Sequence, residues 1–290
     1  MRTPATNTAA LLEALQELEQ FGVSIEDAAV IGFGRFPVGG QASYSHDWWF
    51  PRFGPGWRLH EGTDIFAPMG TPVRAPVDGT IRITDGGLGG LSVYVDQPDG
   101  TYWYLTHLSG IGPGIEIESS VVTGQVVGYV GNSGNARTTP PHLHIQIHPR
   151  GGRPIDPKPV LDKFISDALA AVPELVAAYA AAAAAGNLDD TGRPAVEVAT
   201  PAAVELPEPD DLELGPPRSA LLWASSVSPT GGALQLAEAE AARAAANIDW
   251  VSLASVQLAA RADRADVERE VNAWLRPLLP PALALVVLEG

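Results

Sequence analysis

The 290-residue chain contains no cysteine, and its charge balance is strongly negative rather than positive. Without cysteine there can be no disulfide, thiol nucleophile, iron–sulfur cluster or thiolate zinc site. The 18 Lys and Arg residues against 34 Asp and Glu give a formal net charge of −16. A nucleic-acid-binding protein needs a basic surface to displace counterions. The charge therefore argues against nucleic acid as a partner.

Long hydrophobic runs are also missing. The segment 11–21 is interrupted by Glu13, Glu17 and Glu19, so it lacks the apolar core of a secretory signal. The most apolar stretch, 169–185, is mostly alanine and contains Pro173 and Glu174. A bilayer span needs about 20 strongly apolar residues. We therefore predict no membrane span and find no export signal in this chain.

The texture of the sequence changes along its length. Apolar residues at helical spacing predict an N-terminal helix within 1–30, capped by Asn7 or Thr8 and ended by Gly22. Short β-branched and aromatic runs separated by Gly, Pro and Asp predict a mainly β central domain over 31–160. The predicted strands are 71–75, 79–84, 91–95, 101–107, 125–130 and 142–148.

The C-terminal part of the chain is predicted to be α-helical around a linker. Residues 161–188 form an Ala-rich helical segment that Pro173 should interrupt. Residues 189–217 are acidic and rich in proline, which is typical of an extended linker. Residues 218–290 form a small helical region whose role no motif indicates.

The histidines of the central domain are grouped as a metal site requires. His60 and Asp64 form an H-x-x-x-D unit at the entrance to a strand, and His142 and His144 form an H-x-H unit inside one. Residues two apart on a strand share a face, so both imidazoles of the second unit point the same way. Each pattern alone is weak, but together, with His107 between them, they are a strong combination.

This donor set suits catalytic zinc. Such a site takes three tetrahedral ligands from the protein and leaves the fourth position for water. Two histidines and one aspartate carry one net negative charge, which leaves the metal Lewis-acidic enough to lower the pKa of its water.

The order of motifs in the central domain matches a known family. The stretch carries, in order, Phe36-Pro37-Val38, Trp48 to Arg52, His60 to Ile65, Ala67 to Val73, Asp78-Gly79, Thr106 to Leu108, Gly128 to Asn135 and Pro140 to His144. It resembles the LytM/lysostaphin-type zinc metallopeptidases, which cleave peptide bonds in bacterial peptidoglycan. The resemblance covers residues 36–160, less than half of the chain.

The resemblance implies a fold and a set of roles. The fold is an antiparallel β-sandwich, the duplicated hybrid motif, with a groove over one sheet. His60, Asp64 and His144 match the ligands of one Zn²⁺ per chain, and His107 and His142 match two catalytic histidines that are not ligands.

Gln146 departs from the family pattern, because relatives commonly have glutamate there. Gln146 should share a strand face with His144, where an amide orients the ligand imidazole without adding negative charge. His46, Trp48 and Asn132 are further candidates for the substrate groove. His148, at the end of the same strand, is predicted to be a rim or surface residue.

The leading functional hypothesis is a zinc metalloendopeptidase acting on peptidoglycan stem peptides or cross-bridges. The alternatives are a non-catalytic module of the same family that binds or activates another cell-wall hydrolase, and a peptidase acting on a Gly- or Ala-rich peptide outside the wall. The resemblance implies action in the cell envelope or outside the cell. Without a visible signal, a cytoplasmic or lysis-released enzyme stays open. The sequence does not indicate an oligomeric state.

Overall fold

The computed structural model describes residues 5–52, 58–188 and 204–206. The chain divides into two compact units. Within the described part, residues 47–52 and 58–61 belong to the second unit and the others to the first. The predicted helical region 218–290 lies outside the described residues, as does the predicted linker apart from 204–206. The predicted domain boundaries stay predictions.

The α-helices precede and follow the β-strand region of the first unit, and short 3₁₀ helices lie between strands or next to them. In chain order they are α1 Ala9–Leu15, a 3₁₀ helix Gln16–Phe21, α2 Ile25–Gly32, two further 3₁₀ helices, Gly134–Ala136 and Pro149–Gly151, and α3 Lys158–Ala184. The segment predicted as one N-terminal helix is therefore α1, a 3₁₀ turn and α2. Gly22 takes a left-handed backbone (φ 85°) that ends the first part, as predicted. Ser24 then starts α2 by accepting the Asp27 N–H.

The strands are short, and most belong to one sheet. In chain order they are β1 Thr6–Asn7, β2 Ser43–Tyr44, β3 Pro51–Arg52, β4 Arg58–Leu59, β5 Thr63–Phe66, β6 Pro72–Arg74, β7 Gly79–Thr84, β8 Ser92–Asp96, β9 Tyr102–Thr106, β10 Gly110–Ile111, β11 Ser120–Val121, β12 Val126–Tyr129 and β13 His142–His148. Each of the six predicted strands is present, with ends shifted by two residues or fewer.

The large sheet is antiparallel throughout. It has eight strands in the order β1-β2-β5-β13-β9-β8-β7-β11. A second antiparallel sheet has the order β10-β12-β6. The predicted fold class, mainly antiparallel β with helices at the N-terminus and after the β domain, is confirmed.

The central strand β13 separates a core face from a site face. Leu143, Ile145 and Ile147 are fully buried in the core, and the alternating His142 and His144 lie on the opposite face. The ladder register places His144 opposite Asp64 on β5 and opposite Thr106 on β9. The alternation of the sequence thus becomes a row of polar groups across three strands.

Helix α3 packs against other parts of the first unit. Its Phe164 stacks on Trp103 of β9 at 5.9 Å between ring centroids, and its Tyr179 contacts Phe21 at 6.0 Å. The prediction that Pro173 interrupts this helix is wrong, because α3 runs through it for 27 residues. Proline removes the bond to the carbonyl of Leu169, and because both residues are exposed, water can satisfy that carbonyl.

The sequence predicts no membrane span, and α3 bears on this prediction. By length and composition, α3 is the one helix among the described residues that is long and apolar enough to cross a bilayer. This is weak evidence, because core helices of soluble proteins pass the same test.

In the described part of the second unit, β3 pairs with β4 in antiparallel register. The Trp49 N–H donates to the His60 carbonyl, and the His60 N–H donates to the Phe50 carbonyl. The rings of Trp48 and Trp49 contact each other at 5.9 Å. These bonds fix the backbone on both sides of His60.

Candidate functional site

Asp64 and His144 form the centre of the site. They are direct partners across β5 and β13, although 80 residues separate them in sequence. His144 Nδ1 lies 2.9 Å from Asp64 Oδ1, and His142 Nε2 lies 3.9 Å from the same oxygen. All three side chains are buried. A buried carboxylate facing two imidazoles is an arrangement that favours a bound cation.

His60 follows β4 and is also buried. Its Nδ1 lies 2.9 Å from the Asp47 carbonyl oxygen, 3.2 Å from Asp47 Oδ2 and 2.8 Å from Arg52 Nη2. One candidate ligand atom from each of His60, Asp64 and His144 falls in a group whose members all lie within 4.8 Å of one another. His60 belongs to the second unit, and Asp64 and His144 belong to the first. The roles of the three residues as ligands stay predictions.

Gly62 is packed closely against His144 and the backbone of β13. A Cβ added at Gly62 would lie 2.5 Å from His144 Cε1 and 2.6 Å from the carbonyl oxygen of Ile145. Real Cβ atoms do not approach other atoms so closely, so the H-x-x-x-D segment can lie against the His144 ring only with glycine here. Two buried imidazoles and a buried carboxylate are the donor types of a catalytic zinc site.

His107 lies just after β9 with a left-handed backbone, φ 66°. This conformation costs a non-glycine residue about 1 kcal/mol or more and is often found at functional sites. The His107 N–H lies 2.7 Å from Thr106 Oγ1 and 3.0 Å from the Gly89 carbonyl oxygen, both acceptors. His107 Nδ1–H donates to the Ser133 carbonyl at 2.9 Å. Its Nε2 is then the unprotonated atom of a neutral ring.

Burial, with smaller contributions from the neighbouring His144 and His142, lowers the pKa of His107 to about 4. The hydrogen bond to Ser133 and the charge of Asp64 oppose this shift. His107 is therefore neutral at neutral pH, the form that can accept a proton.

His142 is anchored in the same way as His107. Its Nδ1–H donates to the Pro140 carbonyl at 2.8 Å, which leaves Nε2 facing Asp64. The His107 and His142 rings lie 4.9 Å apart. Phe66 lies on the other side of His142 at 5.3 Å and is 41% exposed. Two imidazoles, each anchored through Nδ1 to a backbone carbonyl, thus lie beside Asp64 and His144.

The predicted groove residues fall into two sets. Gln146 contacts His144, with 3.0 Å between its amide nitrogen and His144 Nε2. The others contact groups outside the ligand set: His46 Nε2 lies 2.6 Å from Asp156 Oδ2, Trp48 contacts Trp49, and the Asn132 side chain donates to the Arg137 carbonyl at 3.4 Å. His148 is half-buried and stacks on Tyr102 at 4.3 Å.

Sequence reasoning missed several parts of the site. The contact of Phe66 with His142 follows from Asp64 and Phe66 sharing one strand face, a signal that was available in the alternation. The glycine inside the H-x-x-x-D unit was also a usable signal. The carbonyl anchors at Ser133 and Pro140 had none, because backbone acceptors leave no mark in residue identity.

A family model describes this part of the chain. Residues 58–157 match peptidase family M23. The match includes the four residues of the two histidine motifs and also His107. The segment is a peptidase M23 domain.

Relatives of the M23 domain have named activities. The chain is 37% identical over 134 residues to the L-Ala–D-Glu endopeptidase of Bacillus subtilis, an alignment that covers 43% of this chain and 41% of the relative. It is 41% identical over 103 residues to the DD-carboxypeptidase/endopeptidase Mpg of Neisseria meningitidis, covering 35% and 22% respectively. The chain therefore spans well under half the length of either relative.

A solved structure of LytU also matches part of this chain. The match is 30% identical, covers 41% of this chain and 84% of that chain, and has a TM-score of 0.37.

Proposed function

We propose that this chain is a zinc-dependent metalloendopeptidase that hydrolyses peptide bonds in the stem peptides or cross-bridges of bacterial peptidoglycan. The observation that carries the proposal is the grouping of His60, Asp64 and His144 beside two backbone-anchored imidazoles within an M23 domain. The relatives named as endopeptidases support the reaction class.

His60, Asp64 and His144 would hold the metal. Zinc, when bound, supplies a Lewis acid that polarises a carbonyl and makes water a better nucleophile at neutral pH. The ligand group contains one carboxylate and neutral nitrogen donors, which leaves a divalent ion with net positive charge. The described residues contain no glutamate in this group, so the proton transfers fall to histidine.

His107 and His142 would move the proton. His107 holds its Nδ1–H on the Ser133 carbonyl and His142 holds its Nδ1–H on the Pro140 carbonyl, so Nε2 is the atom of each ring that is available for proton transfer. One Nε2 takes the proton of the attacking water and returns it to the leaving amine. Between these two transfers, the imidazolium that holds the proton stabilises the developing oxyanion. The exposed ring of Phe66 beside His142 offers an apolar surface to the peptide chain.

This activity would be exerted where peptidoglycan lies, in the cell envelope or outside the cell. The finer choice of bond depends on loops around the groove, so purified peptidoglycans with different cross-bridges are the informative substrates.

The first test measures metal binding independently of peptide hydrolysis. Elemental analysis of the purified full chain should give one zinc per chain, and His144→Ala should lose it. A wild-type chain that binds no divalent metal would contradict the proposal.

The second test measures turnover. Mass spectrometry of digested peptidoglycan should identify released peptides with new amino termini. His107→Ala should retain zinc but lower kcat by about 10²- to 10⁴-fold, as expected for loss of a general base. Zinc binding without any peptide release, on any cross-bridge type, would instead favour the non-catalytic alternative.

A further inference from the structure

A chain of side-chain contacts runs from His144 away from the ligand group along β13. The Gln146 amide nitrogen lies 3.0 Å from His144 Nε2, and its amide oxygen lies 2.9 Å from His148 Nε2. His148 Nδ1 lies 2.9 Å from the Gly152 carbonyl oxygen. The three side chains occupy alternate positions of the strand, so they share the site face.

Two sets of hydrogen positions on His144, Gln146 and His148 fit these contacts. Both are possible because a half-turn of the Gln146 amide exchanges its oxygen and nitrogen. In the first, the Gln146 N–H donates to His144 Nε2, so His144 carries its hydrogen on Nδ1 and donates it to Asp64. The amide oxygen then accepts from His148 Nε2–H. Since His148 Nδ1 also needs a hydrogen for the Gly152 carbonyl, His148 would be a cation.

In the second arrangement, His148 is neutral. Its Nδ1–H donates to the Gly152 carbonyl, so its Nε2 can only accept, and it accepts from the Gln146 N–H. The amide oxygen then faces His144 Nε2, which must carry the hydrogen. The lone pair of His144 Nδ1 is left facing Asp64 Oδ1 at 2.9 Å. Two acceptors at this distance repel unless a cation lies between them.

The surroundings of His148 favour the second arrangement. Tyr102 covers one face of the ring, nearly parallel at an interplanar angle of 13°. Burial lowers the pKa of His148, with the Gly152 hydrogen bond opposing the shift. A neutral His148 is therefore the ordinary state at neutral pH.

We propose that Gln146 and His148 are positioning residues that hold His144 in its Nε2–H tautomer and so present its Nδ1 lone pair to the metal. Gly152 fixes His148, His148 fixes the amide of Gln146, and the amide oxygen fixes His144. The inference rests on the proposed metal site, but not on the peptidase reaction.

The zinc affinity of the full-length chain tests this series of contacts. It is measured by competition with a chromophoric chelator. Gln146→Leu removes the acceptor and should weaken zinc binding by about 10- to 100-fold, the usual cost of losing a partner behind a ligand. His148→Phe keeps the stacking on Tyr102 but frees the amide, so it should cause a smaller loss. Gln20→Leu, the same substitution at an exposed position, should leave the affinity unchanged.

Gln146→Glu distinguishes a positioning role of Gln146 from a merely structural one. A carboxylate still accepts from His144 Nε2–H, so this variant should retain most of the zinc affinity. The carboxylate cannot donate to His148, which should therefore gain a second N–H. Imidazole ¹⁵N NMR of the zinc-loaded proteins should show hydrogen only on Nδ1 of His148 in the wild type and on both nitrogens in Gln146→Glu.

Unchanged affinity in Gln146→Leu, or a wild-type His148 protonated on both nitrogens, would overturn the inference. The predicted affinities and spectra without peptide release would contradict the proposed function alone. A wild type that binds no zinc would contradict both.

Discussion

The packing of the site depends on the absence of a single carbon atom at Gly62. Its Cα approaches the edge of the His144 ring so closely that even a methyl group overlaps both the ring and the backbone of β13. Neither neighbour is the end of a flexible side chain, because the ring faces Asp64 and the backbone belongs to the central strand. Ligand geometry and sheet geometry are therefore coupled at this residue.

Gly62→Ala should displace His144 and weaken zinc binding by at least about tenfold, comparable to disturbing a ligand's supporting contacts. Chelator competition measures this loss directly. Gly110→Ala is the matched control, because a Cβ there meets its nearest atom, on Tyr129, at an ordinary 3.8 Å. Equal affinities for the two variants would show that His144 can move without harm.

At the scale of secondary-structure elements, side-chain hydrogen bonds join turns to one another, in addition to the backbone hydrogen bonds between strands. Asp78, just before β7, accepts both the N–H and the hydroxyl of Thr123 at 2.7 Å, which joins this turn to the one before β12. These bonds from the Thr123 side chain and backbone lower the pKa of Asp78. The folded protein thus prefers the ionised carboxylate more than the unfolded chain does.

The stability that Asp78 contributes should therefore be present at neutral pH and lost as pH falls through its lowered pKa. Asp78→Asn should cost at most about 1 kcal/mol at neutral pH, because the carboxylate is exposed. The difference from wild type should shrink below about pH 4, the ordinary aspartate value. Urea unfolding at several pH values measures it, with Asp85→Asn in the exposed β7–β8 connection as control. A difference that grows on acidification would refute this assignment.

At the scale of the whole first unit, one buried guanidinium connects separate parts of the chain. Arg74 on β6 donates to the carbonyls of Gly34 and Phe36, after α2, and of Gly124, before β12. It is only 2% exposed. Burial lowers the pKa of Arg74 to about 10, so it remains charged at neutral pH. The N-terminal helical segment is thereby tied to the β domain.

Arg74→Lys should lower the free energy of unfolding by about 2–4 kcal/mol, because one ammonium cannot reach all three carbonyls and a buried charge loses its partners. Arg82→Lys is the control, since Arg82 forms an exposed pair with Asp96 and its change should cost about 1 kcal/mol or less. Chemical denaturation compares them. Similar losses for both variants would mean that the three carbonyl bonds contribute little.

The sequence predicted what local alternation controls, and missed what depends on tertiary contacts. Six strands followed from period-two patterns, while the choice of His60, Asp64 and His144 as ligands was implied by the family resemblance. The two-residue strands β1, β2, β3, β4, β10 and β11 were not predicted, because so short an element has no pattern of its own. The burial of Arg74 and the continuation of α3 through Pro173 are decided by neighbours far away in sequence.

The pairing of Asp64 with His144 has a consequence for the folding equilibrium of the protein. The two groups meet only when β5 and β13 have joined across 80 residues of chain, so the disordered polypeptide has no such pocket. An ion bound only by the native form shifts the folding equilibrium towards it by mass action. If the proposed metal binds there, its loss would also enlarge the unfolded fraction and expose that fraction to degradation.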